Sequence, residues 1–416
     1  MGKIVINGGK RLFGSVCIHG AKNAVLPVMA ASLMNEGVTV IRGCPDIADV
    51  RAMCGILNHL HCKTDFKKGC LVIDTSMAEY EEIKAEDTKQ LRASSVLMGP
   101  VLARFGKVRL AYPGGCSIGS RPLDIHLHAL KCLGASWSVS EDFIEMETTG
   151  LHPSEITLRF PSVGATQNAI MASVKVPGIT IIRNAAKEPE IVGLCDYLTG
   201  CGADIKGAGG DTIAVRGVDN LNDTVYTIPA DRMVMGTYIA SVCATRGDIK
   251  LTGCNICDAG GFLDVYTGMG LEYKECEDGI CIFQKERPKA VNYIKTSVYP
   301  GFPTDMQSVT MSVAAYSDGK TVFEESIFEN RFGVAGQLKK MGADISVDKN
   351  MAHVTGRSRL TGADVAGTDL RGTAALFVAA LAADGESIIR NTQYINRGYE
   401  KFVSNYRELG AEIIEI

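Results

Sequence analysis

Charged and amide side chains stand where several helices are predicted to start, and such side chains could bind an anion. Lys22 and Asn23 open the apolar segment "GAKNAVLP", and Asp369 and Arg371 open "TDLRGTAALF". The first N–H groups of a helix have no partner within it and carry the positive end of its dipole, so they can bind a phosphate or carboxylate together with a cation. The alternative for Lys22 is a lysine at a solvated helix start.

Three more predicted helix starts carry polar groups. Arg92 enters "LRASSVLMGP", Asp305 opens "GFPTDMQ" and Ser162 opens "FPSVGATQN". An arginine that enters an apolar helix needs an ion-pair partner or solvent. If the helices within each domain run parallel, these starts converge on one cleft. The sequence then predicts a site for an anionic, phosphorylated substrate.

The segment "YPGGCSIGSRP", residues 112–122, is predicted to be a loop, because it contains three glycines and two prolines. It is not a Walker loop, since no Gly-Lys-Ser/Thr follows its glycines, although successive glycines could form an anion-binding nest. A thiol close to cations has a lowered pKa and is more reactive. Cys116, which precedes Arg121, is therefore either a reactive thiol or an inert cysteine in a turn, and the spacing alone leaves both open.

The 416-residue chain has an ordinary globular composition, with 46% hydrophobic and 22% charged residues. Its length favours two or more domains, because single cores rarely exceed roughly 250–300 residues. The net charge of −4 leaves no broad basic field for nucleic acid. The start, "MGKIVINGGKRLFGSV", alternates like a strand and lacks the apolar core of a signal peptide. No apolar run approaches the roughly 20 residues that span a bilayer, so we expect a cytoplasmic protein without a membrane partner.

The fourteen cysteines are expected to be reduced, since disulfides are typical of small exported chains. Cys254 and Cys257 form a CxxC motif, and Cys276 and Cys281 follow with a CxxxxC spacing. A zinc site built from these four is conceivable, but the second spacing departs from the usual pattern. The favoured interpretation is that they are small buried hydrophobic residues, and no metal is predicted.

Two short phrases recur six times in a fixed order, and the second phrase returns every 68 to 73 residues. The first phrase is a glycine followed by a β-rich run, and the second is a helix end, a glycine and another strand. The glycines of the first phrase are Gly37, Gly106, Gly178, Gly247, Gly319 and Gly385. Those of the second are Gly134, Gly202, Gly270, Gly342 and Gly410, and His61 takes this place in the first copy.

Each repeat combines two helices with several strands. Glycine ends a helix in the left-handed conformation without a Cβ penalty, and the Val, Ile and Thr residues that follow favour a strand. Segments such as "NAVLPVMAASLM" are apolar all round and predict buried helices. We expect an α/β fold of six β-α-β-α-β-β repeats, with sheets outside and helices inside. Three repeats form each of two lobes, residues 22–229 with the Cys116 loop and residues 1–21 with 230–416.

Nine motifs occur in order along the whole chain: "GAKNAVLP", "RASSVLMGP", "PGGCSIGSRPLDIH", "FPSVGATQN", "AAKEPEI", "GFPTDMQ", "FENRF", "TDLR" and "NRGYE". Together they resemble the UDP-N-acetylglucosamine 1-carboxyvinyltransferases, a family of enolpyruvyl transferases. The resemblance implies two lobes, each an inside-out α/β barrel of three repeats. It also implies that phosphoenolpyruvate donates its enolpyruvyl group to the 3-hydroxyl of UDP-N-acetylglucosamine in the first committed step of peptidoglycan synthesis. It implies no metal or redox cofactor, because phosphoenolpyruvate is already activated, and no obligate protein partner.

The resemblance further implies a role for each candidate residue. Cys116 would protonate C3 of phosphoenolpyruvate, and Asp305 would accept the proton of the sugar 3-hydroxyl. Lys22 and Arg397 would complete the catalytic group. Phosphoenolpyruvate would be bound by Lys22, Asn23, Arg121 and Arg397, and the charged cleft would be supported by Arg331, Asp369 and Arg371. The nucleotide sugar would be bound by Arg92, Arg121, Pro122, Leu123, Asp124, Ile125, Ser162, Val163, Asp305 and Ile327.

Five positions depart from the family pattern, namely Phe160, Val234, Tyr299, Gly333 and Asn396. None of them is a proposed catalytic residue, but together they leave open a divergent paralogue that uses another acceptor or senses a ligand with weak catalysis. Two other enzymes are alternatives. The shikimate-pathway enolpyruvyl transferase gives no reason for a cysteine in the loop, and an RNA 3′-phosphate cyclase needs a nucleophilic histidine, for which we see no candidate.

Overall fold

A computed structural model describes residues 2–91, 94–111 and 123–416, and for residues 89 and 90 it describes only the backbone. The described residues form two compact units. The first unit lies within residues 20–229, and the second unit comprises residues 2–19 and 230–416. No helix in the described parts of the chain is long and apolar enough to cross a membrane.

Thirteen α-helices occur in the described residues, seven in the first unit and six in the second. The first unit contains α1 Lys22–Ala31, α2 Ala48–His59, α3 Ala85–Gln90, α4 Met98–Phe105, α5 Asp124–Cys132, α6 Val163–Ser173 and α7 Pro189–Gly200. The second unit contains α8 Arg232–Thr245, α9 Gly261–Gly268, α10 Thr304–Ala314, α11 Ala335–Lys340, α12 Leu370–Ala382 and α13 Phe402–Glu408.

Twenty-three β-strands alternate with these helices in the described residues. The strands up to the end of the first unit are β1 Lys3–Asn7, β2 Phe13–Cys17, β3 Val38–Arg42, β4 Lys63–Lys67, β5 Cys70–Asp74, β6 Lys107–Ala111, β7 Ser136–Val139, β8 Phe143–Glu147, β9 Glu155–Thr157, β10 Ile179–Arg183, β11 Asp204–Lys206, β12 Thr212–Arg216 and β13 Thr224–Thr227. The remaining strands are β14 Asp248–Thr252, β15 Glu272–Cys276, β16 Gly279–Phe283, β17 Tyr293–Lys295, β18 Lys320–Glu324, β19 Asp344–Asp348, β20 Met351–Thr355, β21 Asp364–Ala366, β22 Glu386–Arg390 and β23 Glu412–Glu415.

The strands form three sheets in each unit. The first unit has the orders β13-β3-β5-β4, β11-β12-β10-β9 and β6-β8-β7, and the second unit has β21-β22-β1-β23, β15-β16-β14-β2 and β17-β18-β20-β19. Each four-stranded sheet has one parallel pair, and its other pairs are antiparallel. The chain therefore enters the second unit with β1 and β2, leaves it for the first unit, and returns after β13.

Three helices in each unit are buried along most of their length, namely α1, α4 and α6 in the first and α8, α10 and α12 in the second. Their buried residues are mostly apolar, and α6 and α10 also bury polar side chains such as Asn168 and Gln307. The predicted α/β fold with six repeats is confirmed. One detail differs, because the second repeat has no first strand among its described residues, and its sheet therefore has three strands.

Left-handed backbone occurs at every glycine of the second phrase. The φ angles of Gly134, Gly202, Gly270, Gly342 and Gly410 lie between 86° and 103°. His61, which takes the glycine position in the first copy, also has a positive φ of 61°. The repeated need for a left-handed helix end explains why glycine recurs here, and it shows that the degenerate first copy keeps the same turn.

Gly37 and Gly247, in the first phrase, do not have the left-handed conformation that the sequence predicts for this position. At Gly247 the preceding residue, Arg246, takes that conformation instead, with φ 55°. Both glycines are needed for space. A Cβ on Gly247 would lie 2.7 Å from the backbone oxygen of Leu12, and a Cβ on Gly37 would lie 2.1 Å from a carboxylate oxygen of Asp223.

Candidate active site

Asp305 lies in the first turn of α10 and forms ion pairs with two arginines of the second unit. Its Oδ1 accepts a hydrogen bond from Arg331 Nη2 at 2.8 Å, and its Oδ2 accepts bonds from Arg371 Nε at 3.2 Å and Nη2 at 3.1 Å. The two arginine side chains are 3% and 6% exposed, whereas that of Asp305 is 32% exposed. Two adjacent guanidinium groups favour the ionised carboxylate, which remains accessible on one side.

Arg371 lies in the first turn of α12, and the N-cap residue Asp369 fixes the start of that helix. One oxygen of the Asp369 carboxylate accepts hydrogen bonds from the backbone N of Arg371 at 2.9 Å and of Gly372 at 3.1 Å. Thr368 Oγ1 donates to the other oxygen at 3.0 Å. Because an N-cap side chain satisfies the unpaired N–H groups of the first turn, Asp369 positions Arg371 through the backbone.

A chain of buried hydrogen bonds holds the Arg371 guanidinium from its other side. Arg371 Nη1 donates to Tyr399 Oη at 3.2 Å, and Tyr399 Oη lies 2.8 Å from Thr237 Oγ1. Thr237 donates its own proton to the backbone oxygen of Met233, so Tyr399 donates to Thr237. Burial opposes the positive charge of Arg371, but Asp305, Tyr399 and Asp231 outweigh it and raise the pKa of the guanidinium.

Arg331 and Ile327 belong to a segment that the buried carboxylate of Glu325 anchors. Glu325 Oε1 accepts hydrogen bonds from the backbone N of Ile327 at 2.9 Å and of Phe328 at 3.1 Å, and Oε2 accepts one from Thr304 Oγ1 at 3.0 Å. Arg331 Nε donates to the backbone oxygen of Thr304 at 3.2 Å. These bonds tie the segment to the start of α10, where Asp305 lies, and so bring Ile327, Arg331 and Asp305 into one region.

Arg397 is the last residue of a short 3-10 helix, Thr392–Arg397, in the same unit. Its side chain is half-buried. The backbone N of Tyr399 bonds to the oxygen of Ile395 at 3.0 Å, and this turn connects Arg397 to the tyrosine that contacts Arg371. The structure therefore places Arg397 two residues from the charged network of the second unit.

Lys22 begins α1 in the first unit, and its ammonium lies 2.5 Å from Oδ2 of Asp49. Asp49 is 2% exposed and lies on the apolar face of α2, beside Val50 and Met53. A buried carboxylate next to an ammonium holds it in its charged form and in one direction. Asn23, the next residue, is exposed at the same helix start.

The five predicted sugar-nucleotide residues of the first unit that the structure describes lie at the starts of α5 and α6. Leu123 is the buried N-cap residue of α5, and Asp124 and Ile125 follow in its first turn. Asp124 is half exposed and forms an ion pair with Arg159. Ser162, the N-cap residue of α6, accepts a hydrogen bond from Ala165 N at 3.4 Å, and Val163 is the first helical residue. Val163 is half-buried.

His126 packs the start of α5 against the start of α6. A Cβ placed on Gly164 would lie 2.6 Å from His126 Nε2, so only glycine fits opposite the ring. Nδ1 of His126 is buried and has no hydrogen-bond partner among the described residues. Burial lowers the pKa of this imidazole to about 4, and Asp124 offsets only a part of the effect. His126 is therefore neutral at pH 7.

The buried His126 should make folding sensitive to acid. Below pH 6.5 the unfolded chain takes up a proton at this histidine, whereas the folded protein does so only near pH 4, so the folded state loses about 3 kcal/mol across that interval. We expect a His126→Asn variant to lack this part of the decline in denaturation midpoints between pH 7 and pH 4. His128→Asn, on the exposed side of the same helix, is the matched control. Equal pH dependence in wild type and His126→Asn would contradict the assignment.

Comparison with known proteins identifies the fold and the family. Residues 6–406 match the EPSP synthase (3-phosphoshikimate 1-carboxyvinyltransferase) family. A protein of Caldanaerobacter subterraneus subsp. tengcongensis named UDP-N-acetylglucosamine 1-carboxyvinyltransferase 2 is 43% identical over 416 residues, which is 100% of both chains. A Clostridium tetani protein of the same name is 40% identical, again over 100% of both chains. The chain belongs to this enolpyruvyl transferase family. The resemblance predicted from the sequence is confirmed.

Solved structures of the enolpyruvyl transferase family share the fold. The enolpyruvyl transferase NikO from Streptomyces tendae superimposes with a TM-score of 0.89 at 23% identity, over 100% of this chain and 99% of the other. EPSP synthase from Acinetobacter baumannii gives a TM-score of 0.75 at 19% identity, over 100% of both chains. At these identities the likeness establishes the architecture alone.

Four predicted site residues lie outside the described residues, namely Arg92, Cys116, Arg121 and Pro122. Their roles stay predictions. Of the others, the structure brings Asp305, Arg331 and Arg371 into direct contact in the second unit. In the first unit it brings the start of α5 against that of α6, through His126 and Gly164.

The four cysteines considered for zinc do not form a metal site in the described parts of the chain. There, no group of three or more His, Cys, Asp or Glu side chains is placed to hold a metal ion. Cys276 and Cys281 instead lie side by side, with their Sγ atoms 3.2 Å apart. Cys254 and Cys276 are half-buried and Cys257 is exposed, so these are not fully buried hydrophobic residues either.

Three residues that contact or adjoin the predicted site residues were missed by the sequence reasoning, namely Asp49, His126 and Tyr399. Asp49 had a visible signal, because it interrupts the apolar face of an otherwise amphipathic helix. His126 gave a similar signal beside Leu127 and is part of a motif already noted. Tyr399 also lies in a motif already noted, "NRGYE", but its contact with Arg371 joins residues that are remote in the chain and leaves no local pattern.

Proposed function

We propose that this enolpyruvyl transferase moves the enolpyruvyl group of phosphoenolpyruvate to the 3-hydroxyl of UDP-N-acetylglucosamine and releases phosphate, as the first committed step of peptidoglycan synthesis. Full-length identity of 40–43% to proteins named for this activity supports the proposal. The observation that carries it is the ionised, partly exposed Asp305 held between Arg331 and Arg371. Such a group can accept a proton from a hydroxyl while its position is fixed.

The reaction needs an acid and a base on different atoms. C2 of phosphoenolpyruvate becomes electrophilic once C3 is protonated, and the sugar 3-hydroxyl attacks C2 as it loses its proton. The methyl group at C3 then gives up a proton as phosphate leaves from C2, and the enol ether remains. In this proposal Cys116 supplies the proton to C3 and can also form a covalent adduct with phosphoenolpyruvate. Asp305, whose side chain is 32% exposed, accepts the proton from the hydroxyl.

Anion binding rests on cations that the protein orients in advance. Lys22, held at 2.5 Å by the buried Asp49, is proposed to contact the phosphate or carboxylate of phosphoenolpyruvate, with Asn23 beside it. Arg121 and Arg397 are proposed to share this role. Because the carboxylate of Asp49 directs the ammonium before the substrate arrives, less side-chain entropy is lost on binding.

Binding of the nucleotide sugar is proposed at the helix starts of the first unit. The positive end of a helix dipole suits a diphosphate. The proposed contacts are Arg92, Arg121, Pro122, Leu123, Asp124, Ile125, Ser162 and Val163, and Asp305 and Ile327 are proposed contacts as well. The proposal also includes lobe boundaries at residues 21/22 and 229/230 and a cytoplasmic location, which rests on the sequence prediction alone.

Phosphate release from phosphoenolpyruvate tests the proposed function. Release should depend on UDP-N-acetylglucosamine, and shikimate 3-phosphate should give only the background rate. The comparison is needed because the matching family model is described as EPSP synthase. Phosphate release with shikimate 3-phosphate but not with UDP-N-acetylglucosamine would show that the proposed acceptor is wrong. No release with either acceptor would refute the proposed activity.

Cys116 can be tested with the epoxide fosfomycin, which alkylates nucleophilic thiols. We expect a single adduct at Cys116 in the wild type and loss of turnover in Cys116→Ala, since the alanine cannot donate a proton. Cys116→Asp should keep turnover and resist the drug, because a carboxylic acid donates a proton without offering a sulfur. Peptide mass spectrometry and phosphate release measure the two effects. Full activity in Cys116→Ala would show that another group is the acid.

A further inference from the structure

Two thiols meet on the outer face of the sheet β15-β16-β14-β2. Cys276 ends β15 and Cys281 lies within β16, and their Sγ atoms are 3.2 Å apart. In β16 the buried Ile280 and Ile282 face the core, so the half-buried Cys281 between them faces outward. Cys276 pairs with Gly279, two residues from Cys281, and therefore shares that outer face. Gly279 has no side chain that could separate the thiols.

The two sulfurs share one hydrogen bond, and either sulfur can be its donor. Cys276 Sγ also donates to the backbone oxygen of Lys274 at 3.8 Å. Lys250 and Lys274 lie opposite Cys281 on the two neighbouring strands, and a nearby cation favours a thiolate. Either cysteine can therefore act first as the nucleophile.

The other thiols differ in their surroundings. Burial raises the pKa of Cys62, Cys201 and Cys195, to between about 11 and about 12, and it also raises the pKa of Cys243. Thiols of this kind are unreactive at neutral pH. Burial likewise raises the pKa of Cys254, to about 11. Among the described cysteines, the pair on β15 and β16 therefore combines contact with partial exposure.

We propose that Cys276 and Cys281 form a thiol–disulfide exchange site. A small soluble disulfide oxidises the two thiols to a reversible Cys276–Cys281 disulfide. The thiolate of one cysteine attacks one sulfur of the small disulfide, forms a mixed disulfide and releases one small thiolate, which takes up a proton. The other cysteine then loses its proton to solvent and attacks the protein sulfur of the mixed disulfide, and the second small thiolate leaves and takes up a proton. Two protein thiols are oxidised, and one disulfide is reduced to two thiols.

The proposed disulfide would change only the hairpin formed by β15 and β16. Of the proposed site residues of the second unit, Asp305, Arg331, Arg371 and Arg397 lie on helices, and Ile327 and Asp369 lie in segments that precede helices. None lies on the strands of this sheet. The bond would link β15 to β16 across their turn. The site is therefore independent of the proposed transfer reaction, and its test does not depend on the acceptor of that reaction.

The experiment treats the folded full-length protein with oxidised glutathione and maps its peptides. Trypsin cleavage after Lys274 and Lys285 leaves both cysteines in one peptide. This peptide should lose the mass of two hydrogen atoms and should not become alkylated by iodoacetamide. Cleavage before Asp278 should leave two fragments that separate only after reduction. A dithiol peptide that stays fully alkylatable under conditions that oxidise unrelated exposed thiols would overturn the proposal.

Single substitutions remove the second step of the exchange. Cys281→Ser should retain glutathione as a stable adduct on Cys276, and Cys276→Ser should retain it on Cys281, whereas the wild type should release it. Cys254→Ser is the matched control and should form the Cys276–Cys281 disulfide as the wild type does. A disulfide that joins Cys254 to either cysteine would contradict the assigned pair.

Discussion

We expect Asp305→Asn to lower kcat by about 10²–10⁴-fold while the protein remains folded. The asparagine has nearly the same shape and still accepts one hydrogen bond, but it cannot take a proton from the sugar hydroxyl. Because proton removal belongs to the transition state, kcat and kcat/KM should fall together, and KM should change little. Phosphate release at saturating substrate measures the effect.

The pH profile distinguishes a base from a structural residue. If Asp305 is the base, the wild-type rate declines on the acidic side as the carboxylate becomes protonated, and this limb should be absent in Asp305→Asn. Asp344→Asn removes an exposed carboxylate that pairs with Arg357 in the same unit, and both its rate and its profile should match the wild type. An Asp305→Asn enzyme with an unchanged kcat would rule out the proposed role.

The glycine periodicity allowed the fold to be predicted from the sequence. Gly134, Gly202, Gly270, Gly342 and Gly410 recur because the backbone at each position is left-handed, a requirement that local sequence expresses directly. The buried helices could also be predicted, since a helix that is apolar on all sides is stable only when protein surrounds it. Gly37 and Gly247 were misread, because contacts with Asp223 and Leu12, remote in the chain, require glycine there.

The sequence allowed the candidate site residues to be predicted, but it did not allow the contacts between them to be predicted. Asp305, Arg331 and Arg371 were recognised from their motifs, but their three-way ion pair joins two helices and a 3-10 segment and leaves no local pattern. The same holds for Lys22 and Asp49. Which two charged side chains form a buried ion pair depends on how elements that are distant in sequence pack together. The partner of a given charged residue therefore cannot be identified from the local sequence.

The pairing of one carboxylate, Asp305, with two buried arginines leads to a second prediction, which concerns the stability of the fold. We expect Arg371→Met to lower the free energy of unfolding by about 3 kcal/mol, the lower end for a broken buried ion pair, because Arg331 still balances Asp305. Methionine fills much of the space of the arginine stem, so the lost charge is the main change. Urea denaturation monitored by circular dichroism measures it. Arg357→Met, from an exposed pair, should leave the transition unchanged.

A double variant gives the sharper test, because the same argument predicts the sign of the coupling energy between the two substitutions. In Asp305→Asn both buried guanidinium groups lose their carboxylate, and removing Arg371 as well takes away one of these unbalanced charges. The double variant Asp305→Asn/Arg371→Met should therefore be more stable than the sum of the single effects implies, by about 1–3 kcal/mol. Effects that add within about 0.5 kcal/mol would mean that Arg371 is held mainly by Tyr399 and helix packing. A positive coupling would instead show that the carboxylate stabilises the buried cations, so that the group proposed to accept the substrate proton also holds the site together.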